Sequence, residues 1–154
     1  MLNQCDRALF TKLNDNSIYL LEKTLNSSRQ RELRSFYWYN KLKKSKDLIT
    51  LPFEEYWYFT GEKGNMRPCI AFTNWIYNQV NYYIDCYFES NSFTIKFGRR
   101  TEGEIHTEIA SILIEKNAFV HQGNILLLKD IPFKDFENQL LLILNTLQNF
   151  NKKI

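Results

Sequence analysis

The chain holds 154 residues, 44% of them hydrophobic and 24% charged, with a net charge of +3. A chain of that length buries roughly 68–70% of its unfolded surface, which predicts a single globular domain over residues 1–154 with no need of a metal or disulfide. The composition excludes a disordered chain, the low net charge excludes polyanion binding by bulk charge, and no apolar run approaches the ~18 residues of a membrane-spanning helix.

Residues 1–50 form the helical, basic portion. Leu2, Leu9 and Leu13 sit on an amphipathic stretch, and Asp15-Asn16-Ser17 supplies N-cap oxygens for a second helix through Ile18, Leu21 and Leu25. A third stretch, roughly 29–47, carries Leu33, Phe36 and Tyr37, and Leu51-Pro52 closes the helical region because the residue before a proline leaves the α basin. This portion holds ten Lys/Arg against five acids, a local charge of +5 inside a chain of +3.

Residues 51–100 switch to a period of two and predict a four-stranded antiparallel meander. Glu55–Thr60 and Cys69–Tyr77 are β-prone and joined by a polar segment around Gly61 to Asn65. In the third strand Val80, Tyr82, Ile84, Cys86 and Phe88 alternate with Asn81, Tyr83, Asp85, Tyr87 and Glu89, the pattern of a strand with one face in a core. Ser90-Asn91-Ser92 is a turn, after which Phe93, Ile95 and Phe97 alternate again.

Residues 101–154 read as helix, short β-hairpin and C-terminal helix. Thr101 and Glu104 have capping-box spacing before Ile105, Ile109, Ile112 and Leu113, and Asn117 ends that helix. Ala118–Val120 and Ile125–Lys129 are two short strands. Asp130 and Pro132 start a last helix with Phe133, Phe136, Leu140, Ile143, Leu144, Leu147 and Phe150 as its apolar stripe. The predicted fold class is α+β, with N-terminal helices, the meander, and the later helices packed on one sheet face.

Side chains able to carry chemistry are few. Of two histidines, His106 lies among Glu102, Glu104 and Glu108 but lacks the further ligands of a zinc site, so it reads as a helix-flank residue; His121 falls in a turn. No GxSxG, phosphate loop or GxGxxG is present. No catalytic residue, metal site or cofactor is expected, with one alternative kept open: Asp85, Glu89 and Lys96 share the polar parity of neighbouring strands and could serve a Mg²⁺-dependent nuclease. The three cysteines, Cys5, Cys69 and Cys86, lack CxxC spacing, and the N-terminus lacks a basic-then-apolar signal, so the expected compartment is cytoplasmic with reduced thiols.

Two surfaces suit binding instead. Tyr83 and Tyr87 among Asp85 and Glu89, with Glu102 and Glu104 following, suit a protein partner, because tyrosine offers large contact area at low entropic cost. Arg29, Arg31, Arg34, Lys41, Lys43 and Lys44 interleaved with Trp38 and its aromatic neighbours suit nucleic acid, cations neutralising phosphates while rings stack on bases.

In composition (rich in Asn, Lys, Ile, Phe and Tyr) and in size, the chain resembles small bacterial accessory proteins found among toxin-immunity, antitoxin and phage-encoded inhibitor proteins. That resemblance implies a non-enzymatic inhibitory protein that blocks a partner such as a cognate toxin; the lack of a long apolar run predicts no membrane involvement. The alternatives are a nucleic-acid-binding accessory protein using residues 29–46, and then the nuclease.

Overall fold

The computed structural model describes residues 54–60, 67–89 and 92–151. In chain order the elements are β1 (Glu54–Thr60), β2 (Arg67–Tyr77), β3 (Val80–Phe88), β4 (Ser92–Arg99), α1 (Thr107–Asn117), β5 (Val120–Gln122), β6 (Ile125–Pro132), a 3-10 turn (Phe133–Asp135) and α2 (Phe136–Asn151). This is an α+β fold. β2 to β6 form a five-stranded antiparallel core to which β1 adds a further strand, in the order β1-β2-β3-β4-β6-β5. The N-terminal helices expected over 1–50 lie outside the described residues.

The meander is present, but the predicted short hairpin is not separate from it. β6 pairs with β4, and β5 lies outermost beside β6. The antiparallel register runs one row from Phe72 through Ile84, Phe97 and Leu126 to His121, and the next from Ala71 through Asp85, Lys96 and Leu127 to Val120. Partners in a ladder share a face, so the first row belongs to the helix side of the sheet and the second to the opposite side.

Local chemistry accounts for the strand ends. β2 turns into β3 through Asn78 and Gln79, both with positive φ (46° and 63°), the two-residue turn whose twist matches that of the strands. Two bulges then set which side chains reach the core. Between Phe72 and Trp75 the β2 register shifts, with Asn74 at φ 68° and its Oδ1 accepting from Asn81 Nδ2 at 3.0 Å. The extra residue switches parity, so Ile70 and Phe72 before it and Trp75 and Tyr77 after it all enter the same core. In β6 the shift between Leu128 and Ile131, with Asp130 at φ 58°, does the same for Leu126 and Ile131. Asp130 and Pro132 therefore prolong a bulged strand instead of opening the last helix, which begins at Phe136.

Both described helices pack on the face formed by the even-numbered residues of β3. α2 contributes Phe136, Leu140, Ile143, Leu144, Leu147 and Phe150, all buried, as its periodicity predicts. Its 16 residues span about 24 Å, long enough to follow the strands from end to end. Phe136 stacks on Phe93 with ring centroids 3.9 Å apart, and Phe150 meets Tyr77 edge-on at 4.9 Å. At the Phe150 end, Trp75, Tyr82 and Phe97 complete an aromatic cluster.

α1 starts later than capping-box spacing predicts. Its N-cap is His106, whose Nδ1 accepts from the Glu108 N–H at 3.3 Å. Thr101 is instead held by the Arg99 guanidinium, and Gly103 stands at φ 128°, where a Cβ would lie 2.7 Å from Arg99 Nη1. The arginine and this left-handed glycine hold residues 101–103 in a bend, and the helix begins only after His106. At its other end Ala118 closes the helix in the left-handed region (φ 58°, ψ 28°), and the Leu113 carbonyl accepts from the Phe119 N–H. Glycine occupies that conformation without the Cβ clash. Ala118→Gly is expected to raise stability by about 0.5–1 kcal/mol, read as a higher urea midpoint; an unchanged or lower midpoint would refute the strain.

Candidate functional site

The face opposite the helices carries the tyrosines, and most of it near β2 and β3 is closed to solvent. Cys69 and Ala71 are buried there, and Asp85 is only 8% exposed. Tyr87 is half-buried and its hydroxyl donates to Asp85 Oδ2 at 3.1 Å. Burial, reinforced by the Asp85 charge, pushes the Tyr87 phenol far above its ordinary range. Tyr83 lies across Gly98, where an added Cβ would stand 2.8 Å from its hydroxyl, and Lys96 Nζ sits 5.5 Å above its ring. Tyr83, Asp85 and Tyr87 are thus engaged in a packed layer. Exposure returns toward β5, where Val120 is 67% exposed.

The six residues expected to meet a protein partner do not form one patch. Glu89 follows β3 at one end of the ladder, whereas Arg100 N–H bonds to the Asn81 carbonyl at the other. Eight residues of strand separate the two ends, about 25 Å. Glu102 and Glu104 belong with the second end, both exposed. The three residues of the nuclease alternative also spread out. Asp85 and Lys96 are cross-strand partners, but Glu89 lies four residues along the strand, about 13 Å away. Among the described residues no group of three His, Cys, Asp or Glu converges to hold a metal.

His106 is a helix-flank residue, as its sequence context predicts. Its ring caps α1 and meets Tyr77 edge-on at 5.3 Å, while its backbone N–H donates to the Tyr82 hydroxyl at 3.3 Å. Cys69 and Cys86 are both buried, on opposite faces of the sheet, and burial raises the Cys86 thiol well above its usual value. Arg29, Arg31, Arg34, Trp38, Lys41, Lys43 and Lys44, the nucleic-acid candidates, lie outside the described residues. Among those described, no helix is long and apolar enough to cross a membrane.

A concave site does exist, and sequence reasoning missed it. α1 presents Thr107, Ala110, Ser111 and Ile114 at spacings of three, four and seven residues, one helical face beside the one in the core. Opposite stand His121, Gly123 and Asn124 of the β5–β6 hairpin, with Glu104 and Ile105 at one end, around a groove of about 310 Å³. The pairing of His121 with Leu126 places its ring on the helix side of the sheet. Glu104 is positioned through its main chain, whose carbonyl accepts from Arg99 Nη1 at 3.2 Å. Residues 101–115 carry four glutamates, Glu102, Glu104, Glu108 and Glu115, and no Lys or Arg, and all four are exposed.

No family model, curated protein or solved structure matches this chain. The assignment of function therefore rests on the geometry alone. Only one signal in the sequence pointed to the groove: the run of glutamates without a cation. His121 gave none: its sequence context reads as a turn, whereas the structure places it in β5, paired with Leu126 at the sheet edge.

Proposed function

We propose that this protein is a non-enzymatic inhibitory binding protein of the immunity or antitoxin type, which occludes a partner protein. The observation that carries the reading is the exposed face of α1 and the β5–β6 hairpin. It combines a groove lined by Glu104 with the exposed apolar side chain of Ile114, 38% accessible, and residues 101–115 add three further exposed glutamates. Such a mixture of an apolar centre and a charged rim suits association with a protein surface. The +3 charge of the whole chain does not steer it toward a basic partner, but the negative segment 101–115 does so locally. The contact surface is formed by Glu102, Glu104 and their neighbours on α1, and the packed tyrosine layer takes no part in it.

The test is calorimetric titration of the full chain with the protein encoded by the adjacent gene, beside the triple variant Glu102→Lys, Glu104→Lys, Glu108→Lys. A 1:1 complex that inhibits that protein, weakened at least tenfold (about 1.4 kcal/mol) by the charge reversal, is expected. Absence of a complex at micromolar concentration removes the reading. A complex indifferent to the reversal removes this face from it.

A further inference from the structure

We infer that the groove between α1 and the β5–β6 hairpin is a receptor for a single basic side chain, arginine or lysine, projecting from a partner protein. The inference rests on the proposed function above and names the chemistry of its contact. A volume of about 310 Å³ is at the low end for a ligand site, the scale of one long side chain and its flanking backbone. The groove is built in two parts. Ile105, Ala110 and Ile114 provide an apolar lining against which the methylene stem of a long cation can lie. Glu104 supplies the only charge on the lining, and Ser111 and His121 add hydrogen-bonding groups to the rim.

The sign of the ligand follows from what surrounds that lining. Glu108 stands one residue beyond Thr107, and the cation closest in sequence to Glu104, Arg100, is exposed and does not line the groove. Arg99 bonds the Glu104 carbonyl and the Thr101 hydroxyl and is not among the residues that line the groove. An anion would be drawn instead to the N-terminus of α1. There the Glu108 N–H is already taken by His106 Nδ1, and two glutamates flank the cap. A guanidinium or ammonium group bonded to the Glu104 carboxylate matches the one formal charge on the groove lining.

The experiment is a two-dimensional NMR titration of the full chain with Nα-acetyl-arginine amide, beside the norleucine and glutamate analogues as uncharged and anionic probes. Saturable shifts confined to Thr107, Ser111, His121 and Gly123 are expected for the arginine probe, with a Kd on the order of millimolar. Glu104→Gln should weaken it at least fivefold, and Ser111→Trp, filling the groove from an exposed position, should abolish it. Equal binding of norleucine, preference for glutamate, or shifts elsewhere on the protein would each overturn the inference. If the arginine probe fails while the triple charge reversal still weakens the partner complex, the docking face stands without this pocket. If both fail, the proposed function falls with it.

Discussion

Phe97→Ala is expected to lower the unfolding free energy by about 3–5 kcal/mol, the largest effect of any single substitution argued for this chain. Phe97 is fully buried at the middle of the sheet, paired with Ile84 on β3 and Leu126 on β6. Its ring stacks on Tyr82 at 5.4 Å and meets Trp75 at 6.2 Å. Removing it opens a void bounded by ladder strands, which cannot close without breaking backbone hydrogen bonds, so little of the loss is relieved by collapse. Urea unfolding measures it, and a cost below about 1 kcal/mol would mean that Phe97 does not occupy this core.

Tyr87→Phe is the second. It deletes the hydrogen bond to Asp85, a carboxylate 8% exposed, and should cost about 1.5–3 kcal/mol near neutral pH. Its pH dependence is the sharper signature. The Tyr87 phenol is held protonated far above its ordinary range, first by burial and then by the Asp85 charge. In the unfolded chain the phenol ionises near pH 10. Below that value both states keep the proton and Tyr87 contributes no slope. Above it the unfolded state loses the proton that the folded state retains, so stability falls as pH rises. The buried Cys86 thiol adds a fall of the same sign from about pH 9, and the variant retains that part. Urea midpoints between pH 8 and 11 should therefore decline less steeply above pH 10 in Tyr87→Phe than in the parent chain. Parallel curves would show that Tyr87 is not buried against Asp85.

The strand parity of β3 is legible without coordinates. Tyr82, Ile84, Cys86 and Phe88 are all buried against the helices, as their alternation predicts. The α2 stripe is legible for the same reason, since a period of 3.6 residues is a property of consecutive side chains. The groove was not, because Ser111 and His121 meet only when β6 pairs beside β4 and carries β5 to the sheet edge. The covering of the tyrosine layer was not legible for a related reason: polarity placed Asp85 on its face but could not say whether that face was covered.

From sequence alone come the class of the fold, the alternation of the central strands and the burial stripe of α2. Each depends on neighbours along the chain. The tertiary structure alone decided where α1 begins, which parity of β2 and β6 enters the core, how deeply Asp85 is buried, and that α1 and the hairpin enclose a groove. Those outcomes turn on left-handed residues such as Asn74, Gly103 and Asp130 and on contacts between distant segments. One extra residue at a bulge reverses every side chain after it while leaving the hydrophobic pattern on either side unchanged.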